Sequence, residues 1–501
     1  MGAISTRAIA RHVGKEETEA ERAFAELVGW LASPRACGLP RHEVERQEEE
    51  KIREIARLLL QEHLNTRGPG AVGHGVKRAD GQLLTEHRLR ERGYVSIFGK
   101  VQIRRVAYGA QGAESVLPLD EQLHLPQRSY SYELQKRVTR QGALGPFAAA
   151  QKTVAEWSGV DVPKRMVEAL AGDAAQDVEA FYAHQTPSPG TPTGPILVCA
   201  ADGKGVPIRK ARPREGCRRR KKGEKPEVKK MATVAAVYTT TPYPRTPEES
   251  VREVHRESPR EHVPPRPRPE YKRVWASLKK DKDQMFSEMA AELDKRDPSR
   301  QKTWGFLCAG EVALQQRALA ALGPLGATLY VILDLFHVLE YLWKAAYAFH
   351  PEGSPEAEQW VTAHLLGLLH GRVSRVAAGL RQSATKLKLR GQKRQAVDTA
   401  AHYFLKNKDF MRYDEYLALG LPIGSGAAEG ACRNLIKDRM ERTGMRWTVD
   451  GAEAVIQLRA TDLSGDWEEY WHYHIEAQRR RLYPEHAWQP AKTKPLLRRV
   501  S

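Results

Sequence analysis

Near the amino end, Phe24, Leu27, Val28 and Leu31 recur at the i, i+3, i+4, i+7 spacing of one helical face. Ile52, Ile55 and Leu59 form a second such stripe. The spacing predicts helices over residues 15–64, parted by Pro34, Gly38 and Pro40, with the glutamates of HEVERQEEEK on a solvated face or between two pairing helices. After the glycine-rich RGPGAVGHG, residues 94–108 alternate like a hairpin that turns near Gly99 and Lys100. Residues 133–153 and 162–182 read as helices around the turn Ser158, Gly159, Val160, Asp161, with Pro163 suited to a first helical turn. Two readings fit: a helix-turn-helix unit that meets DNA, and an ordinary helical corner.

The tract TPSPGTPTGP, residues 186–195, cannot hold regular structure and marks a boundary. Beyond it the pattern becomes α/β. Residues 196–201 form a short apolar strand ending at Asp202, and residues 231–239 form a second strand. Between them, residues 209–230 carry twelve Lys/Arg and three Glu. The Pro-rich SPREHVPPRPRP reads as a surface excursion. Then follow a helix (283–295), a strand (303–308), a helix (312–322) and a strand (328–333). Residues 335–416 are helical almost throughout and interrupt the alternation, before the glycine-punctuated LPIGSGAAEGAC leads into a helix bearing Glu429. The segments are 1–70 (helical), 71–130 (hairpin unit), 131–185 (helical), 186–195 (linker), 196–334 (first part of an α/β core), 335–416 (helical insertion), 417–460 (glutamate helix and the segment after it) and 461–501 (helical tail).

Composition narrows the function. With 501 residues the chain is long enough for about three domains at roughly 150 residues each. Hydrophobic residues at 41% and charged residues at 28% exclude a chain disordered throughout. The apolar runs 196–201 and 329–333 fall far short of the roughly 18 residues a membrane span needs. The amino end lacks the apolar core of an export signal, so a cytosolic protein is expected. The cysteines Cys37, Cys199, Cys217, Cys308 and Cys432 are scattered and form no C-x-x-C pair, which signals neither a disulfide frame nor a zinc ribbon. Eighty Lys+Arg against 62 Asp+Glu give a net charge of +18, a field that favours a polyanion.

Phosphodiester chemistry is helped by two divalent ions about 3.5–4 Å apart, and magnesium takes oxygen ligands, so acidic side chains from different elements must converge. Asp202 is followed by Gly203, Lys204 and Gly205, and Glu429 lies among small residues that let a helix press on a sheet. Arg433 and Lys437 follow Glu429 at i+4 and i+8, which aligns a carboxylate with two cations on one helical face. Asp334 closes the last strand, with His337 three residues on. Each residue also has a plain structural reading: Asp202 as a turn former, Glu429 as a first-turn charge, Asp334 as a helix cap and His337 as a packed, hydrogen-bonded imidazole.

The segments VCAADGKGVPI, LDLFHVLEYLWKAAYAFH, MRYDEYLALGLPIGSGAAEGACRNLIKDRMERTGMRWTVDGAEAVIQLRA and GDWEEYW closely resemble bacterial insertion-sequence transposases of the ISKra family, over about residues 196–483. The resemblance implies an RNase H-like core, a DDE metal site, an all-helical insertion before the catalytic glutamate, and a mainly helical DNA-binding region ahead of the core. It implies cut-and-join chemistry on terminal inverted repeats with two Mg2+ (or Mn2+) ions, at least a dimer on double-stranded DNA, and a cytoplasmic, nucleoid-associated protein. Asp202 matches the first acid and Glu429 the third. The second acid is expected after WGFLC, where Ala309 stands, followed by Gly310. Asp334 matches the family's D-x-x-H motif with His337 and is the candidate substitute ligand. Lys204, Arg209, Arg218, Arg219, Arg220, Lys221, Lys222, Arg433, Lys437 and Arg439 are the expected phosphate contacts. The alternatives are a DNA-binding derivative without cleavage, consistent with Ala309, and a related nuclease acting on branched or guided substrates.

Overall fold

The computed structural model describes residues 17–185, 193–209, 229–256, 265–424, 426–442 and 444–491. The chain divides into two units, residues 178–470 and residues 1–177 with 471–501.

The larger unit is built on a five-stranded mixed sheet. Its strands are β1 (Ile196–Pro207), β2 (Lys229–Thr240), β3 (Glu270–Ser277), β4 (Thr303–Cys308) and β5 (Thr328–Leu333). Their order across the sheet is β3-β2-β1-β4-β5, with β1–β2 and β2–β3 antiparallel and β1–β4 and β4–β5 parallel. The antiparallel half needs only short connections, whereas each parallel pair needs a crossover. Helix α1 (Lys282–Arg296) precedes β4, and helix α2 (Val312–Leu322) crosses from β4 to β5.

The strand bearing Asp202 is longer than its apolar run predicts. Pairing with β2 continues through Gly203, Lys204 and Gly205 to Pro207, so Asp202 lies within the strand opposite Val234 and not at its end. The glycines do not stop a strand whose neighbour supplies a full ladder of hydrogen bonds.

Side chains alternate across the sheet. On one face Val198, Ala200, Tyr238, Leu307 and Ile332 join the main apolar cluster, which the helical insertion supplies through fully buried Leu342, Leu365, Leu380 and Phe404. The insertion comprises α3 (Leu335–Phe349), α4 (Pro355–Leu369), α5 (Val373–Lys386), α6 (Gly391–Lys406) and α7 (Tyr413–Ala418). It is tied to the edge strand by Tyr413 Oη, which donates to Leu333 O at 2.8 Å, and by Tyr416 Oη, which donates to Val331 O at 3.2 Å. Near α1 the Phe286 and Phe306 rings lie 5.6 Å apart, and Trp304 Nε1 donates to Asp297 at 2.9 Å. Helix α8 (Gly426–Ala431) leads into a π-helical stretch, Cys432–Lys437, and α9 (Val449–Ser464) covers β3. The Glu453 carboxylate in α9 accepts from Ser277 Oγ at 2.6 Å and Leu278 N at 2.7 Å.

In the smaller unit, helices Glu19–Leu31 and Arg41–Arg67 pack through Ala20, Leu27, Ile55 and Leu58, while Phe24, Val28, Ile52 and Leu59 of the predicted stripes are exposed. The hairpin pairs Glu86–Ser96 with Gly99–Gly109, so its turn falls at Ile97 and Phe98, just before the predicted position. The predicted helix 133–153 is two helices, Tyr132–Leu144 and Phe147–Ser158, because Pro146 cannot continue the first. The predicted helix 162–182 likewise appears as two, Lys164–Ala175 here and Val178–His184, which belongs to the larger unit. Gly159, at φ 65°, closes helix Phe147–Ser158 in the left-handed region, and Leu134, Val138, Val154, Val167 and Leu170 form a small trihelical core. The tail is not helical throughout: Trp488–Pro490 pairs with Val76–Arg78. Among the described residues no helix is long and apolar enough to cross a membrane.

Candidate functional site

The site follows from sheet register. Ala200 pairs with Leu307, Leu307 with Ile332, and Cys308 with Leu333. Extended by two residues, that register lines up Asp202, still within β1, with Ala309 and Asp334, the first residues past the ends of β4 and β5. Strand spacing of about 4.8 Å puts each one step from the next. Alternation places Asp202 on the face of Ala200, which the helical insertion also uses.

The row contains two carboxylates, and their environments differ. Asp202 is half-buried; Oδ1 accepts from Gly203 N at 2.7 Å, and Oδ2 accepts from the Cys432 thiol at 3.2 Å. Asp334 is 2% exposed, and its Oδ1 accepts from Phe336 N at 2.8 Å, which caps α3. Asp334 thus takes the helix-capping role that its position in the sequence allows. His337 is half-buried in the first turn of α3. Ala309 is half-buried between the two acids, and its carbonyl accepts from Tyr403 Oη at 3.1 Å. Gly310 follows with φ 81°, where an added Cβ would lie 2.6 Å from the Tyr403 hydroxyl. The Ala-Gly pair is therefore a tight turn against the insertion.

Glu429 lies on α8, which follows the insertion. Leu335 N donates to Ile423 O at 2.9 Å, which fixes the segment before α8 against the end of β5. Helix α8 then packs on β1 and β2. Trp447 N donates to Pro207 O at 3.1 Å and Arg209 N to Trp447 O at 2.7 Å, so the chain beyond Glu429 is strapped to the end of β1. Glu429 itself is exposed.

Cys432 registers the convergence. Its thiol is pushed well up by burial first, then by the Asp202 charge and hydrogen bond, with Glu429 acting in the same direction and Lys204 opposing. Two carboxylates and a lysine thus act on one buried sulfur. Scattered cysteines without a paired motif gave no reason to single it out; its place three residues after Glu429 was the one available signal.

The cations fall into three groups. Lys204 is half-buried beside this thiol, while Arg209, Arg433 and Lys437 are exposed. The π-helical stretch interrupts the regular i+4 repeat after Ala431, so Glu429, Arg433 and Lys437 do not share the single straight face predicted. Arg439 is completely buried, contrary to the expected phosphate contact. Its Nη1 donates to Met445 Sδ at 3.4 Å, its guanidinium lies 4.6 Å from the Trp447 ring, and burial with Arg459 and Arg442 nearby brings its pKa down to about 10. Arg218, Arg219, Arg220, Lys221 and Lys222 lie outside the described residues.

No family model matches the sequence. No curated protein matches it either. The Drosophila P element transposase strand transfer complex is structurally similar at 9% sequence identity and a TM-score of 0.25, over 72% of this chain and 94% of that one. The chemistry has to be read from the residues.

Magnesium often binds through one or two carboxylates and retains several waters. Asp202, half-buried on β1, and exposed Glu429, on the helix packed over β1 and β2, are the carboxylates that would supply that minimal donor set. Among the described residues no three His, Cys, Asp or Glu side chains gather as a ligand cluster. A methyl group at Ala309 explains why the row supplies no third oxygen donor beside Asp202.

Proposed function

We propose that this chain is a DNA transposase of an insertion sequence, with an RNase H-like catalytic core that cuts terminal inverted repeats and joins them to target DNA. The observation that carries the reading is the register that lines up Asp202, Ala309 and Asp334 across β1 and the ends of β4 and β5, together with helix α8, which carries Glu429 and packs on β1 and β2. The β3-β2-β1-β4-β5 order with its antiparallel and parallel halves supports the RNase H-like assignment, and the helical block between β5 and α8 supports an insertion ahead of the glutamate.

In this proposal Asp202 and Glu429 hold Mg2+ or Mn2+, up to two ions, with Asp334 contributing through the helix it caps. When bound, the ions would activate the attacking oxygen and stabilise the leaving one. Lys204 offers positive charge beside the carboxylates, and exposed Arg433 and Lys437 contact phosphates. Two in-line displacements follow: water breaks the P–O bond at the element's end and frees a 3′ hydroxyl, which then attacks a target phosphorus and expels a 3′ hydroxyl there. The smaller unit, with its Gly159 turn between two helices, holds the terminal repeat, and the protein acts as at least a dimer on DNA.

Ala309 favours a second reading in which DNA binding persists without cleavage. The test incubates the chain, its Asp202→Asn and Glu429→Gln variants, and its Ala309→Asp variant with terminal-repeat DNA and Mg2+ or Mn2+. Nicking lost in both carboxylate variants supports the transposase. Nicking that appears only with Ala309→Asp supports the binding derivative. Nicking unchanged in both carboxylate variants removes the site.

A further inference from the structure

A second cationic feature lies away from the carboxylate row. At the Thr240 end of β2 a groove of about 440 Å³ is lined by Tyr238, Thr240, Tyr243, Arg245, Arg266, Arg268, Lys272 and the glycine-rich segment before α8. Among its described lining residues there are four cations and no carboxylate.

The groove is built and not a chance gathering of surface arginines. Arg245 is 8% exposed; its Nη1 donates to Glu253 at 3.0 Å, its Nη2 to Leu421 O at 3.4 Å, and its guanidinium lies 4.8 Å from the Tyr243 ring. Tyr243 N donates to Gly420 O at 3.0 Å, and at Gly420, with φ 71°, an added Cβ would come within 2.4 Å of that nitrogen. This approach locks the floor to the end of β2. Arg245 is held below the usual guanidinium range by burial, opposed by Glu253 and reinforced by the charge of Arg266. The field of Arg266 also reaches Tyr238 and Tyr243. Glu253 answers Arg245, so Arg266, Arg268 and Lys272 bring charge to the groove that its described walls do not neutralise.

We infer that this groove grips the sugar-phosphate backbone of duplex DNA alongside the cleavage site, its Gly424 and Gly426 wall leading into the helix that carries Glu429. The planar guanidiniums of Arg266 and Arg268 and the ammonium of Lys272 suit phosphate oxygens. Because β1 and β2 are antiparallel, Thr240 lies opposite Ile196, six residues along β1 from Asp202. At about 3.3 Å per residue that is about 20 Å, or roughly six base pairs of duplex at 3.4 Å each.

The inference rests on the proposed DNA transposase and is tested with the full chain. A labelled terminal-repeat duplex is titrated from 50 to 200 mM salt against the native chain and a triple variant, Arg266→Gln, Arg268→Gln and Lys272→Gln. Each phosphate contact steepens the salt slope by about 0.9, so losing three removes about 40-fold of the affinity drop over this range. Arg266 and Arg268 are exposed and Lys272 is half-buried, and a native melting temperature of the variant checks that its fold is kept. A native salt slope in the variant overturns the groove while leaving the transposase reading intact. Absence of salt-dependent DNA binding by the native chain overturns that reading as well. In a parallel arm, inorganic tripolyphosphate that stabilises only the native chain, with equal DNA slopes, assigns the groove to a free polyphosphate and also overturns the inference.

Discussion

Ala309→Asp probes the carboxylate row most directly, because its effect on stability should change sign with metal. The register puts position 309 one strand from Asp202 and one from Asp334. Two unit charges about 5 Å apart repel by about 3 kcal/mol at an effective dielectric of 20 and by less than 1 kcal/mol in water. Position 309 is half-buried, between those limits. A cost of about 1–2 kcal/mol is therefore expected in chelator, or roughly 2–8 °C in melting temperature at 2–4 °C per kcal/mol. Saturating Mg2+ reverses the sign, since a ligand at 100 times its Kd adds about 2.7 kcal/mol. The assay is thermal unfolding of the native chain, Ala309→Asp, and Ala309→Asp combined with Asp202→Asn, each in chelator and in Mg2+. The metal-dependent gain should belong to the single variant and collapse in the double. Melting of Ala309→Asp that is native-like in chelator, or a Mg2+ gain equal in all three chains, would refute a shared row of carboxylates.

Two further outcomes follow from buried charges. Arg439→Gln should lower stability by about 2 kcal/mol through lost packing and its ring contact, yet leave the salt slope of DNA binding unchanged, as checked by denaturant titration beside the DNA assay. In the smaller unit, Asp177 accepts from Arg481 Nη2 at 2.8 Å and His474 Nδ1 at 2.7 Å. Burial raises its carboxyl, but these bonds outweigh it and hold the pKa below the ordinary 3.8. A depressed folded-state pKa contributes stability that is present above the unfolded value and lost as pH falls through the folded one. Asp177→Asn should thus cost about 3 kcal/mol near neutrality, with the gap to the native chain closing below pH 3.8 in chemical denaturation.

Much of the architecture was legible. The apolar runs before Asp202 and Asp334 gave strands, and Gly159 with Pro163 gave a turn between helices, because each rests on a local backbone preference. The ends of elements were less readable. The chain near Asp202 carries two glycines in three residues, which suggests a stop, yet the ladder from β2 carries the strand to Pro207. Helical periodicity passed over Gly145 and Pro146, although the missing proline N–H breaks the helix there. The site was half legible: Asp202 and Glu429 stood out by their small-residue settings, while Cys432 was one cysteine among five.

By itself the sequence determined the alternation of strands and helices, the excess of positive charge and the alanine in the row, since these depend on residue types and neighbours a few positions away. Folding alone decided that Arg439 is buried against Trp447, and that Arg245, Arg266 and Lys272 meet Gly420, Gly424 and Gly426. Side chains far apart in the chain acquire their solvent exposure and partners only when sheet register and helix packing bring their backbones together.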